Sequence, residues 1–341
     1  MTRVVLDCRW LGLGGAGRVT ELLLRELQAS PPTGEWVLWG APDRLAPFVF
    51  PGAAVTPGGR PLRLAGQRDL VRIPRGDVTL YLHQIRPLRP GRSVTVIHDT
   101  IPLRYGGTRA SRLAKRAFFR AAARLSTHVL TDSELSRDRI VEDLGVAPER
   151  ISILTFPQDM ERARRLAALR AELPQENRLL YVGRFAPHKN LDRLARVFPR
   201  TQHARHGGRL LLVGGWEGEV EQLRDRVGTG VEVRGECSEE ELDRLLATSR
   251  ALVLPSLEEG FGLPAFEAVA SGLPVAVSRT GALTGLPAER AASFDPLDED
   301  GMAAAIDLAV VRGSGDPVEL GGELREVVLA AVARAVGETT A

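Results

Sequence analysis

The sequence predicts an α/β fold made of two doubly wound parallel sheets, and three observations lead there. The chain has 341 residues, more than one hydrophobic core usually organises, so two domains are expected. Short apolar runs alternate with longer amphipathic stretches along its whole length, the pattern of strands crossed by helices that cover both faces of a sheet. The alternation breaks once, near residues 157–177, and then restarts.

Taken in order, RVVLDC (3–8) reads as a buried strand and TELLLRELQ (20–28) as the helix after it. EWVLWGAP (35–42) gives another strand. SVTVIHD (93–99) and HVLTDS (128–133) follow, with the helical stretches RLAKRAFFRAAARL (112–125) and ELSRDRIVEDLG (134–145) after them. Pro157, the charged piece MERARRLAALRAEL and Pro174 then interrupt the pattern, and 158–176 are expected to be a linker or hinge. The second series runs RLLYVG (178–183), NLDRLARVF, RLLLVGG (209–215), EVEQLRDRV, VEVRG (231–235), ALVLPS (251–256), PAFEAVAS and PVAVSR (274–279). The expected division is therefore a Rossmann-like domain over 1–157, the linker, a second Rossmann-like domain over 177–318, and a terminal helix within 319–341 that could pack back on the first domain.

Composition narrows the class. Hydrophobic residues at 44% and charged residues at 26% are those of an ordinary globular protein. Cys8 and Cys237 are too few for a disulfide framework or a cysteine metal cluster and suit a reducing compartment. The start MTRVVLDCRW lacks the layout of a secretory signal, and no apolar run approaches the roughly 18 residues of a membrane span, so a cytoplasmic protein is expected. Charge is uneven: residues 1–176 carry 27 basic and 18 acidic residues, the remainder 18 and 25. A basic half suits an anionic partner, either a phosphate-bearing substrate or a membrane surface; an arginine-rich solvated surface has the same composition.

Of 45 basic residues only Lys115 and Lys189 are lysine. Lys189 lies in YVGRFAPHKN, where a strand end delivers Gly183, Arg184 and then Lys189 just ahead of a helix. A rigid guanidinium and a mobile ammonium converging there would clamp a diphosphate; two unrelated surface charges would look the same in sequence. The stretch LPSLEEGFGLPAFEAVASG adds more. Glu259 follows a strand, Gly260-Phe261-Gly262 make a glycine turn, Pro264 suits a first helical position, and Glu267 falls on the first turns of that helix. Free backbone N–H groups at such a start favour an anion, and carboxylates beside it would address hydroxyl groups. The plainer role for Glu267 is to complement the helix dipole.

These motifs, with GLGGAGR, VIHDTIPL, SGLPVAVS and TDSELSRDRIVEDLGVAPERI in the same order, resemble the retaining glycosyltransferases of family 4, glycosyltransferase group 1, and most nearly their mannosyltransferase-like members. The resemblance spans nearly the whole chain and implies the GT-B architecture, with both Rossmann-like domains facing a central cleft, the first on the acceptor side and the second holding a nucleotide-sugar donor. It implies that Arg184 and Lys189 bind the donor diphosphate, Glu259 the transferred sugar, and Glu267 the ribose. Gly260, Phe261, Gly262 and Leu263 would cradle sugar and phosphate with their backbone. Gly15 in the first-domain loop would approach the diphosphate, His98 would lie near the reacting sugar, and Gly235, Glu236 and Cys237 would sit near the nucleobase. His98, Glu259, Arg184 and Lys189 are thus the expected catalytic group. ILTFPQDM departs from the family's usual entry into the second domain.

Other readings stay open at this point. His98-Asp99 at a strand end could be a structural hydrogen-bonded pair, and His83 either structural or on the acceptor side. GLGGAG fits a dinucleotide fingerprint, but the strand after it ends in Gly40-Ala41 where an acid is wanted, so NAD is discounted. Asp298-Glu299-Asp300 could imitate a metal-binding D-x-D, yet it opens a helix, where acids cap; no metal and no cofactor beyond the nucleotide-sugar co-substrate are expected. The basic helix around Phe118 and Phe119 could dock on an anionic membrane carrying a lipid-linked acceptor, or pack Leu113, Phe118 and Leu125 into its own core. The expected activity is metal-independent transfer of a sugar to a glycan, lipid-linked or small-molecule acceptor in polysaccharide or glycoconjugate synthesis, with no nucleic acid involved. An epimerase-like enzyme on the same fold, or an inactive nucleotide-binding subunit, is the alternative.

Overall fold

The computed structural model describes residues 1–58, 73–105, 107–215 and 217–337. Its contacts divide into two units, Met1–Pro157 with Gly321–Ala341, and Gln158–Leu320.

In unit 1 the strands are β1 (Arg3–Asp7), β2 (Glu35–Gly40), β3 (Ala53–Pro57), β4 (Val78–Tyr81), β5 (Ser93–Val96), β6 (His128–Thr131) and β7 (Ile151–Ile153). They form one parallel sheet in the order β3-β2-β1-β4-β5-β6-β7. Runs such as Val4, Val5 and Leu6 are buried because helices cover both faces. Its helices include α1 (Gly14–Ala29), α2 (Pro42–Leu45), α3 (Arg109–Leu125) and α4 (Glu134–Leu144). Thr108 caps α3 and Ser133 caps α4 by accepting the Ser111 and Ser136 backbone N–H. Phe119 of α3 joins Ile97, Val129 and Ile140 in the core beneath it.

Unit 2 holds β8 (Arg178–Val182), β9 (Arg209–Val213), β10 (Val231–Arg234), β11 (Ala251–Leu254), β12 (Val275–Ser278) and β13 (Ala291–Phe294), again all parallel, in the order β10-β9-β8-β11-β12-β13. Its helices are α5 (Met160–Glu172), α6 (Leu191–Val197), α7 (Gln202–Arg205), α8 (Glu217–Arg224), α9 (Glu239–Thr248), α10 (Leu263–Ala270) and α11 (Glu299–Arg312). One apolar core runs from Leu179, Leu180 and Tyr181 through Val253, Val269 and Val277 to Ile306.

Two details differ from the sequence reading. The stretch 158–176, expected as a linker, is mostly α5, a helix integral to unit 2: Asp159 caps it, Leu166 enters the core, and buried Arg170 donates to the Ser271 carbonyl at 2.5 Å. Arg162, Ala163, Leu166 and Arg170, recurring at helical spacing, give it a buried face that a free linker has no use for. Leu113 of α3 is not a core residue but 59% exposed, whereas Phe118 packs against the core and Leu125 is half-buried. The chain's last helix, α12 (Leu324–Val336), belongs to unit 1 and lies against β4 to β7 and α1, burying Leu324, Val328 and Ala331. Its start is held by the Arg325 N–H donating to Glu26 at 2.9 Å.

Candidate active site

In an open parallel sheet the strand order reverses at one point, and the loops leaving the strands there diverge to open a crevice. In unit 2 that point lies between β8 and β11. The loop after β8 carries Gly183 to Lys189, and the loop after β11 carries Pro255 to Gly262, so both sequence-predicted motifs meet there.

Lys189 Nζ donates to both carboxylate oxygens of Glu259, at 2.8 and 2.6 Å, with side-chain exposures of 16% and 10%. Ser256 Oγ donates a further bond to Glu259 Oε2 at 2.8 Å. Burial alone would raise the Glu259 pKa; the Lys189 ammonium and these hydrogen bonds outweigh it and hold the carboxyl below its ordinary value. The backbone ties the loops as well, since the Leu257 N–H donates to the His188 carbonyl at 2.8 Å. Burial and the Lys189 charge depress the neighbouring His188 to about 4, so this histidine is neutral at pH 7.

Asn190, directly after Lys189, is the one non-glycine residue with positive φ among the described residues, at 60°. Its amide donates to the carbonyls of Pro255 and Pro296, both at 3.0 Å. Left-handed backbone is tolerated by asparagine better than by other side chains, and here it turns the chain into α6 with Lys189 aimed at Glu259.

The glycine turn is built for close approach. Gly262 has φ 84° and caps α10, whose first residue is Leu263, with Pro264 second and not first as expected. A Cβ on Gly262 would lie 2.6 Å from Leu283, and one on Gly281 would lie 1.9 Å from the Glu259 carbonyl oxygen. The loop is thus pressed against the turn 281–285, with the Ala282 N–H bonded to the Gly260 carbonyl. Phe261 stacks on Phe266 at 4.3 Å and is 9% exposed.

Glu267, on α10, pairs with Arg162 of α5 at 3.1 Å. Arg162 is buried and also binds Asp243 of α9 at 2.8 Å, so one guanidinium joins three helices. Burial opposes its charge, but Glu267, Asp243 and Glu239 more than compensate and raise its pKa. Arg184 is engaged by Glu219 of α8 at 2.7 Å, with its side chain 53% exposed, so it and Lys189 face different carboxylates. Gly235, Glu236 and Cys237 follow β10; Glu236 is exposed and Cys237 packs on the core.

In unit 1 the order reverses between β1 and β4. Trp10, after β1, stacks on His83, after β4, with ring centroids 3.8 Å apart. His83 Nδ1 accepts the Ile85 N–H at 2.9 Å. His98, after β5, bonds through Nδ1 to Asp132 at 2.9 and 3.1 Å and through Nε2 to the Leu82 carbonyl at 3.1 Å. Its acidic partner is therefore Asp132 and not the adjacent Asp99, which instead accepts the Ile101 N–H. Gly15 is not a loop residue but the second residue of α1, exposed, with open space where a Cβ would stand. The glycine that permits close packing there is Gly17, whose Cβ would come 2.6 Å from the Trp10 carbonyl.

Asp298 caps α11 by accepting the Gly301 N–H at 3.0 Å, and Glu299 and Asp300 pair with Arg196 and Arg200. Sequence reasoning did not single out Asp132, Arg162 or Asn190. Asp132 stands in the quoted HVLTDS beside the capping Ser133, and Asn190 ends the quoted YVGRFAPHKN, so each was visible as a residue; Arg162 is one of four arginines in α5, and only the packing distinguishes it.

Residues 176–310 match the family model described as Glycosyl transferases group 1. O-antigen chain mannosyltransferase RfbU of Salmonella typhimurium is 28% identical over 246 residues, 70% of this chain and 66% of that protein. O-antigen chain mannosyltransferase B of Escherichia coli is 30% identical over 239 residues, 64% and 61% of the two chains. The matched stretches thus leave about a third or more of each relative uncovered. The crystal structure of Anabaena Alr3699/HepE in complex with UDP-glucose superposes with a TM-score of 0.67 at 16% identity, covering 99% of this chain and 95% of that one. That likeness establishes the GT-B fold.

Proposed function

We propose, for a chain whose residues 176–310 match the glycosyl transferases group 1 model and whose fold is GT-B, that it transfers a sugar from a nucleoside-diphosphate donor to a hydroxyl acceptor with retention of configuration. The observation that carries this reading is the Lys189–Glu259 pair at the reversal point of the unit 2 sheet, beside the glycine-capped start of α10. A diphosphate arriving there exchanges with Glu259 for the Lys189 ammonium. Glu259, released from the ammonium, turns to the hydroxyls of the transferred sugar, and Glu267 addresses the ribose. The positive end of α10 and the backbone of Gly260 to Leu263 face the phosphate oxygens.

During transfer the bond between the anomeric carbon and the diphosphate oxygen breaks, the acceptor oxygen bonds the same face of that carbon, and its proton passes to the departing phosphate oxygen. Charge grows on the leaving diphosphate, and Lys189 with the helix start meets it without a metal ion; each such donor contributes about 3 kcal/mol to lowering the barrier. Arg184 joins them by leaving Glu219. The mannosyltransferases among its relatives support a mannosyl donor and a glycan product.

The acceptor side is assigned to unit 1. α3 carries six basic residues and no acid, with Leu113 exposed among them, and among the described residues no helix is long and apolar enough to cross a membrane. A peripheral contact of α3 with an anionic lipid surface fits these features. Binding to anionic vesicles that vanishes in Leu113→Glu and at high salt supports the contact, and equal sedimentation with neutral vesicles removes it.

Thermal-shift screening against UDP, GDP, ADP and dTDP sugars tests the main reading. One donor class should raise the melting temperature of the native chain but not of Lys189→Ala. No shift with any of them would contradict the reading.

A further inference from the structure

The geometry points to Asp132 as a positioning residue that keeps His98 doubly protonated, so that His98 acts as a hydrogen-bond-donating cation and not as a base. The role in transfer rests on the reading above; the charge state does not.

Both ring nitrogens of His98 face acceptors. A backbone carbonyl can only accept, and His98 Nε2 faces the Leu82 carbonyl at 3.1 Å. An ionised carboxylate can also only accept, and Nδ1 faces both oxygens of Asp132. A neutral imidazole has one nitrogen with a lone pair and no hydrogen, so in either tautomer one of these contacts would set lone pair against lone pair. The imidazolium satisfies both. Asp132 is 7% exposed and directly follows β6, the strand paired to β5, which puts its carboxylate level with His98. Thr131 Oγ1 donates to the His98 carbonyl at 3.2 Å and fixes the backbone behind the ring.

The other groups facing His98 agree. Asp99 adds negative charge from the same loop. His83, with its ring 5.8 Å away, has Nδ1 occupied as an acceptor by the Ile85 N–H and so carries its hydrogen on Nε2. Burial and the charge of His98 hold His83 well below its ordinary pKa. For His98 burial works against the charge, but Asp132, Asp99 and the Leu82 carbonyl outweigh it and the pKa rises. One neutral and one charged histidine therefore stand side by side at the strand ends of unit 1.

This division decides what His98 can do. The Asp132 bond joins two opposite charges and holds Nδ1; the bond to the uncharged Leu82 carbonyl is the weaker one. Exchange of Nε2–H from the Leu82 carbonyl to a substrate oxygen keeps the ring fixed and its charge intact. A ring with no unprotonated nitrogen has nothing with which to remove a proton.

Long-range proton–nitrogen NMR of the histidine rings in the full chain, without substrate, tests this, with His98→Gln supplying the assignment. Both His98 nitrogens should carry hydrogen at pH 7, with a titration midpoint above that pH, and His83 should keep one bare nitrogen. Asp132→Asn retains an acceptor but loses the charge, and should lower the His98 midpoint by about one unit or more. The same variant should move the alkaline limb of the kcat profile to lower pH, whereas a merely structural defect would lower activity equally at every pH. A bare nitrogen on His98 at pH 7 in the native chain, or an unmoved midpoint in Asp132→Asn, would overturn the proposal. The native spectrum decides even if the variant does not fold, and a chain with the expected spectrum but no transferase activity would indict the reading of function alone.

Discussion

Lys189 Nζ lies between the two carboxylate oxygens of Glu259, at 2.8 and 2.6 Å, and closes the loops after β8 and β11 over the reversal point of their sheet. The lysine that stands out in an arginine-rich chain is thus matched to a carboxylate that needs a compact, mobile partner. An arginine would grip Glu259 in a planar fork, whereas an ammonium on a flexible stem can pass from carboxylate to phosphate.

Removing the cation strands a buried carboxylate. Lys189→Ala should lower the stability of unit 2 by about 3 kcal/mol, and Glu259→Ala on that background should recover part of the loss because the uncompensated charge is gone. Urea unfolding of the two single variants and the double variant measures the coupling. Simple additivity would mean that the pair does not interact in the folded protein.

Stability should depend on pH through two groups with opposite signs. Glu259 has a depressed folded pKa, so its contribution is complete above the unfolded carboxyl value of about 4.3 and is lost as pH falls through the folded value. His98 has a raised folded pKa, so its contribution is complete below about 6.5 and is lost as pH rises through the folded value. Asp132→Asn should therefore destabilise most at acidic to neutral pH and least at alkaline pH, and Lys189→Ala the reverse. Melting temperatures across pH separate them; parallel curves for the two variants would refute these signs.

Asn190 separates backbone from side chain. Asn190→Gly keeps the left-handed turn and loses the bonds to the Pro255 and Pro296 carbonyls, a loss of about 2 kcal/mol at about 1 each. Asn190→Ala adds about 1 kcal/mol for a Cβ at positive φ. Equal melting of the two variants would mean that the turn relaxes without strain.

Arg162 carries Glu267. Arg162→Ala leaves Glu267 and Asp243 without their shared guanidinium and should destabilise by about 3 kcal/mol, while Arg162→Lys keeps the charge but not the reach to both. In the lysine variant, binding of a ribonucleotide should fall toward that of its 2′,3′-dideoxy analogue, since only the ribose contact is disturbed. An unchanged preference for the ribonucleotide would detach Arg162 from the donor.

The parallel sheets were legible because buried strands and amphipathic helices have different periods, and the two motif-bearing loops because lysine, paired glutamates and a glycine turn are rare neighbours. What escaped depends on distance in three dimensions. Asp132 meets His98 across 34 positions and Arg162 meets Glu267 across 105, and no local pattern marks either pair. The charged sequence of α5 concealed a buried face because two of its arginines, Arg162 and Arg170, are themselves buried by partners far along the chain. The partner of Arg184 was equally invisible, because an exposed guanidinium takes a carboxylate within its reach, here Glu219, 35 positions along the chain.

Calorimetric titration of a nucleoside diphosphate into the native chain and Lys189→Ala tests the central claim most directly. The native chain should bind, and the variant should bind about a hundredfold more weakly because one charge-bearing donor to the diphosphate is lost. Equal affinity in the two proteins would mean that the diphosphate does not take Lys189 from Glu259, and the assigned donor site would be wrong.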